Sequence, residues 1–354
     1  MLVQNFFHNF FWKNYFLDKN KFHILAANKN FKIKVMKKLS IILGLVSTII
    51  LQAQQDPQLT QFMYSKLTYN AGYAGTSDAL CANVLYRKQW VSFPGAPSTF
   101  LLNADMPVMN LPLGAGLTVM KDQIGAMSTL YARLAVAYNK QIGAGKLGVG
   151  IDAGILQHQV SDTWIVPEPG KVDNSIPGNY TSGTQNITNP NLSKLSYDLG
   201  FGIYYGIPNK MYVGIASSHL PAQTLASGDI KYILARHYYI MAGYTFELNP
   251  FNSIIPNINV KSDGATSVID VNLTYMYNNT FWVGATYRAQ DAIAPMLGVK
   301  LLKDKSLKIG FSYDYTTSKL KGYTSGTYEV MLGYCFNIKK QKTPTVYGNV
   351  RFLD

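Results

Sequence analysis

The sequence predicts an all-β chain, a closed antiparallel transmembrane β-barrel of about 14 strands with a filled or plugged lumen. Three observations predict it. Hydropathy alternates at period two, in segments of roughly ten residues separated by turn residues, which is the pattern of a barrel wall with lipid on one side. Only 14% of the 354 residues are charged while 47% are hydrophobic, against roughly a quarter charged in an ordinary soluble domain. No run of about 18 apolar residues follows position 53, so this apolar content is not a transmembrane helix. The same composition excludes a disordered chain. Two cysteines exclude a disulfide framework or a cysteine-rich metal domain.

The first element is a leader. From Met36 the chain reads MKKLSIILGLVSTIILQAQQ. Lys37 and Lys38 form a basic region, 39–51 an apolar core, and Ala53 a cleavage point before Gln54. The core is too short to span a bilayer, so 36–53 reads as a secretory signal peptide. The residue immediately after the cleavage point is Gln54 rather than cysteine, which argues against lipoprotein processing. Residues 1–35, rich in Phe, Asn and Lys, read as an extension upstream of the true start at Met36, the alternative being an unusually long leader. Residues 1–53 hold eight Lys and one Asp, a net +7, which leaves +6 of the formal +13 for the chain from Gln54. That remainder has no basic run of the nucleic-acid-binding type.

Next comes a polar segment, 54–78, then the barrel, 79–338, and a periplasmic tail, 339–354. The expected strands lie near 79–88, 98–106, 113–120, 128–139, 145–158, 194–205, 210–219, 234–247, 253–261, 266–277, 280–289, 292–302, 306–316 and 326–338. The alternation is clearest in 307–316, where Leu307, Ile309, Phe311, Tyr313 and Tyr315 share one face and Lys308, Gly310, Ser312, Asp314 and Thr316 the other. An even strand number puts both ends of the wall on the periplasmic side. With the first strand running outward, the long connections 159–193 and 219–233 are extracellular. The short ones (206–209, 248–252, 278–279 and 303–305) are periplasmic, which is the usual asymmetry. Tyr138, Tyr205, Tyr277 and Tyr287 fall near strand ends, where aromatic girdles belong.

A charge on the lipid face costs a few kcal/mol at mid-depth. Parity turns Arg87, Asp105, Arg133, Asp152, Asp198, Glu247, Asp270, Arg288, Lys308, Asp314 and Glu329 inward, as a lumen ion network that rigidifies the wall. Many glycines share that face, among them Gly114, Gly116, Gly148, Gly150, Gly202 and Gly310. Glycine there lets the wall bend or another segment approach closely. Segment 54–78 is the natural candidate to fold into the lumen as a plug. Cys81 on the first strand and Cys335 on the last point inward near the periplasmic end and become neighbours across the seam. They are read as two independent small residues, with a disulfide left open.

No HExxH, CxxC or phosphate loop is present. The histidines from Gln54 onward (His158, His219 and His237) have no nucleophile placed by sequence within reach. The expectation is therefore no enzyme, no cofactor and no metal site. Loop 159–193, with Trp164, Pro167 and Pro169, is the expected outer contact surface, a solvated loop being the plainer alternative.

Specific stretches resemble a known family. The segment QDPQLTQFMYSKLTYNAGYAGT, followed in order by Tyr86-Arg87-Lys88-Gln89-Trp90, Ala235-Arg236-His237-Tyr238-Tyr239, Trp282-Val283-Gly284-Ala285-Thr286-Tyr287-Arg288, Phe311-Ser312-Tyr313-Asp314-Tyr315 and Gly326-Thr327-Tyr328-Glu329-Val330, resembles the PorP/SprF family of outer-membrane proteins of the type IX secretion system. One departure is Asn70-Ala71-Gly72, where the family usually has Asn-Pro-Ala. The resemblance implies a Bacteroidetes barrel in the lipid of the outer membrane. Its partners would be the type IX machinery and a secreted surface protein bearing a type IX C-terminal signal, including gliding adhesins, with no nucleic acid. A passive porin or small-molecule transporter is the alternative function.

Overall fold

The computed structural model describes residues 56–92, 95–160, 163–165, 179–181, 184–186, 193–227, 230–302 and 306–337. The expected leader with its Ala53–Gln54 cleavage point, and the tail 339–354, lie outside the described residues.

Period-two alternation becomes fourteen wall strands, each paired antiparallel with the next in sequence. They are β1 (Ala79–Lys88), β2 (Ser98–Val108), β3 (Leu113–Ile124), β4 (Met127–Ile142), β5 (Gly145–Val160), β6 (Ser193–Ile207) and β7 (Met211–Ser218), followed by β8 (His237–Tyr244), β9 (Asn252–Ser262), β10 (Ser267–Tyr277), β11 (Phe281–Arg288), β12 (Ala292–Leu301), β13 (Leu307–Thr316) and β14 (Thr327–Asn337). The sheet has no free edge. β8 pairs with β9, Tyr238 opposite Ser262 and Gly243 opposite Asn257, and β1 pairs with β14, Ala79 opposite Asn337. Closure satisfies every ladder without water, as a lipid-embedded sheet requires. The connections at one end are short turns, such as 143–144 and 278–280; the other end carries 161–192 and 219–236. Two antiparallel strands, Thr224–Ser227 and Ile230–Ile233, make a hairpin within the second of these.

The eighth strand departs from expectation. It breaks at Thr245, and the chain continues as a short strand, Phe246–Asn249, paired with β9 through an irregular register. Glu247 is exposed there, beyond the last β7–β8 pair, Met211 with Tyr244. Its expected place in the lumen network is therefore corrected. The register with β9 is continuous from Gly243–Asn257 to Glu247–Ser253, so strand parity holds; Glu247 lies past the end of β7, where its side chain meets solvent rather than a lumen partner.

The apolar face is outward: Leu134 and Ile151 are 65% and 64% exposed, the inverse of a soluble β-sandwich. The packed core lies inside, where Leu59, Phe62, Met63 and Tyr69 of the N-terminal segment join inward residues such as Leu85, Met120, Trp282 and Met331.

Candidate functional site

The site is the inner wall together with the segment from Asp56 to Ser77. That segment has no strand. It forms two 3-10 turns, Phe62–Tyr64 and Ala71–Tyr73, flanking a one-turn helix, Lys66–Tyr69. Alone these turns are too short to persist in water, and the wall supplies their support.

Inward glycines form the first set of contacts. A Cβ added to Gly114 would overlap the Ala74 carbonyl, one on Gly148 the Gly72 carbonyl, and one on Gly202 the Asn70 side chain. A Cβ on Gly72 would meet the Gly148 carbonyl oxygen at 2.7 Å, so the fit is reciprocal. Asn70 fixes this turn: its Oδ1 accepts from Gly72 N at 2.9 Å, and its Nδ2 donates to the Ile203 and Ile215 carbonyls at 2.9 and 3.2 Å. Gly72 therefore stands where the turn touches β5, and a residue with a Cβ there would push it off the wall.

The predicted lumen charges separate into two clusters. In the first, Arg87 Nη2 is 2.7 Å from Asp314 Oδ2 and Nη1 is 3.1 Å from Glu329 Oε2. Arg288 reaches Asp270 at 2.8 Å and Asp314 at 3.2 Å. Glu329 also accepts the backbone N–H groups of Thr60 and Gln61, each at 2.8 Å, one on each carboxylate oxygen. Thr60 Oγ1 donates to Asp314 at 2.7 Å and accepts from Arg87 at 2.9 Å. The network thus binds the N-terminal segment as well as bridging strands of the wall.

In the second cluster Arg133 lies 3.8 Å from Asp152 and 3.9 Å from Asp198 and donates to the Thr68 carbonyl at 3.1 Å. His219 Nδ1 is 3.0 Å from Asp198 Oδ1, and its Nε2 is 3.0 Å from Asp56 Oδ1. Tyr239 donates to the other oxygen of Asp56. Asp56 N donates to His237 Nε2 at 3.2 Å. Burial opposes ionisation of Asp56, but the His219 and His237 rings, with the hydrogen bonds from His219 and Tyr239, outweigh it and hold the carboxyl well below its usual range. Burial likewise opposes the charged form of His219, yet Asp56 and Asp198 push it up to about 9. Asp105 joins neither cluster; it accepts from Gly75 N at 3.0 Å.

The grouping of Asp56 with His219 and His237 was beyond sequence reasoning. His219 has φ 53°, so β7 ends in a left-handed turn, and Ser218 and His219 are both buried where strand parity allows only one.

Toward the short-turn end a cavity of about 640 Å³ lies between the segment and the wall, lined in part by Lys66, Asp105, Tyr204, Tyr212 and Lys308. Lys66 Nζ sits 3.7 Å from the centre of the Tyr212 ring. Burial, then Lys308, pushes its ammonium down to about 7.

Across the seam, Cys81 is directly opposite Cys335, with Cα atoms 4.0 Å apart, and the two are joined as a disulfide, in place of the two independent residues expected. Trp164 lies in the short strand Thr163–Ile165; Pro167 and Pro169 fall outside the described residues.

The family model described as "Type IX secretion system membrane protein PorP/SprF" matches residues 51–334. Among solved structures, the chain is similar to the Acinetobacter baumannii outer membrane protein Omp33 at 8% identity and a TM-score of 0.40, covering 73% of this chain and 99% of that one. It is similar to the Ralstonia pickettii toluene transporter TbuX at 12% identity and a TM-score of 0.42, covering 74% and 89%. No curated protein matches the chain.

Proposed function

Because this chain belongs to the PorP/SprF family of type IX secretion system membrane proteins, we propose that it is a closed, non-enzymatic outer-membrane barrel that helps the type IX machinery export or anchor a partner surface protein. Its lumen is filled by the segment from Asp56 to Ser77 acting as a plug. The observation that carries this reading is the anchoring of that segment at three points. Thr60 and Gln61 bind Glu329, Asp56 binds His219 and Tyr239, and Ala71 to Ala74 sit on the glycines of β3, β5 and β6. A diffusion pore would leave such a lumen open and wet. A filled one suits a rigid scaffold whose outer loops and periplasmic turns meet other proteins. The exported partner carries a type IX C-terminal signal, gliding adhesins being one class, and loop 159–193, with Trp164, Pro167 and Pro169, is its contact surface. The barrel reaches the membrane through a signal peptide cleaved between Ala53 and Gln54.

Deleting the gene and assaying surface display of a protein bearing a type IX C-terminal signal tests the secretion role. Display should be lost and should return with the wild-type gene. Display unchanged, in a strain with every paralogue also removed, would contradict it and leave the passive porin reading.

A further inference from the structure

We propose that Asp56, His219 and His237 form a binding site for a divalent transition metal ion, Zn²⁺ above all, that staples the N-terminal segment to the ends of β7 and β8. One ligand atom from each residue lies within 4.8 Å of the others, and all three residues are buried. The outer contacts of the two rings favour this role. A metal-bound imidazole almost always presents its other ring nitrogen to a carboxylate or a backbone carbonyl, which fixes the ring. His237 is set that way, its Nδ1 hydrogen-bonded to the Ala235 carbonyl at 3.0 Å. His219 Nδ1 lies 3.0 Å from Asp198 Oδ1 as an ion-pair contact outside hydrogen-bond geometry, so the Asp198 carboxylate needs only a small turn to take that place. Their Nε2 atoms converge on Asp56, at 3.0 Å from Oδ1 and 3.2 Å from the backbone N. Tyr239 holds the second oxygen of Asp56, leaving the first for the ion.

Charge balance points the same way. In the Arg87 cluster, Arg87 and Arg288, with Lys261 buried beside Asp270, stand against buried Asp270, Asp314 and Glu329 and half-buried Asp291, three cations to four anions. Around Asp56, three carboxylates (Asp56, Asp152 and Asp198) face the single guanidinium of Arg133. Even with a proton on His219 the cluster keeps one uncompensated negative charge in a buried site, and with both histidines neutral, as ligands must be, it keeps two. A divalent ion supplies the missing charge. Two imidazoles and one carboxylate suit Zn²⁺, with the fourth tetrahedral position left to water. The ion takes the place of the proton between His219 and Asp56 and draws His237 from its long hydrogen bond to the Asp56 backbone.

The test uses the full mature barrel folded in detergent, stripped with chelator and dialysed against Co²⁺ and, separately, Zn²⁺. The expected result is one ion bound per chain, with the visible absorption of tetrahedral Co²⁺. His237→Gln and Asp56→Asn should each abolish stoichiometric uptake, while Tyr239→Phe should weaken it by about tenfold or more. Asp56→Asn lies on the segment, not on the wall, so barrel folding, read as heat-modifiable migration on a gel, is separable from metal loss. His158→Gln is the control and should bind as wild type. No stoichiometric uptake, or uptake unchanged in both ligand variants, would overturn the site and identify the cluster as a metal-free ion network.

Discussion

Gly72 and Gly148 each occupy the space that a side chain on the other would need. A Cβ on Gly148 would overlap the Gly72 carbonyl, and a Cβ on Gly72 would meet the Gly148 carbonyl oxygen at 2.7 Å. The N-terminal turn and strand β5 touch backbone to backbone, a contact open only to glycine.

Gly148→Val should therefore lift the Ala71–Tyr73 turn off the wall while β5 still pairs with its neighbours. Overpacking of this kind costs about 1–3 kcal/mol. The cost should appear as faster hydrogen exchange in residues 66–75, with unchanged exchange in β10–β12. Unchanged exchange in 66–75 would refute the contact.

Arg87→Met tests the first charge cluster. Removing Arg87 leaves Glu329 without its ion-pair partner and Asp314 with Arg288 alone, and breaking a buried pair costs about 3–5 kcal/mol. Urea unfolding of the refolded barrel should show that loss. Replacing Arg87, Asp314 and Glu329 together by apolar residues should recover much of it, because buried pairs often contribute little net stability over apolar packing. A loss below about 1 kcal/mol for the single variant would contradict the account.

The seam is covalent. Cys81 and Cys335, 254 residues apart in sequence, should both resist maleimide labelling in denaturant and both label after reduction. Labelling of two thiols without reductant would show the seam to be held by hydrogen bonds alone.

Lys66 offers a chemical test of its surroundings. An amine held down to about 7 is largely neutral by pH 8, and the neutral amine is the nucleophile. Its unfolded-state value, near 10.4, is higher, so the unfolded chain binds more protons between about 7 and 10. The Lys66 contribution to stability therefore rises with pH across that window and is flat below it. At pH 8, a small acylating reagent should modify Lys66 well ahead of exposed Lys319, as peptide mass spectrometry would show. Equal rates would mean that the ammonium is stabilised by the Tyr212 ring.

These tests separate what the sequence made legible from what it did not. The wall was legible because lipid on one side forces a period of two. Phe311, Tyr313 and Tyr315 could only alternate with Ser312, Asp314 and Thr316. Up-and-down order then put the first strand beside the last, and so Cys81 beside Cys335. Arg87 facing Asp314 and Glu329 follows from parity plus closure. Glu247 escaped because parity says which way a side chain points but not where the neighbouring strand ends, and the last β7–β8 pair is Met211 with Tyr244. The Asp56, His219 and His237 grouping escaped because His219 is turned inward by a left-handed backbone, and because Asp56 belongs to no strand.

The central claim is that the segment from Asp56 to Ser77 closes the barrel. Single-channel recording in a planar bilayer tests it most directly, comparing the mature protein with a variant lacking residues 56–77. The intact barrel should show no steady open conductance, and the truncated barrel should show stable, long-lived openings. A steady open channel in the intact protein would contradict the account and establish a pore.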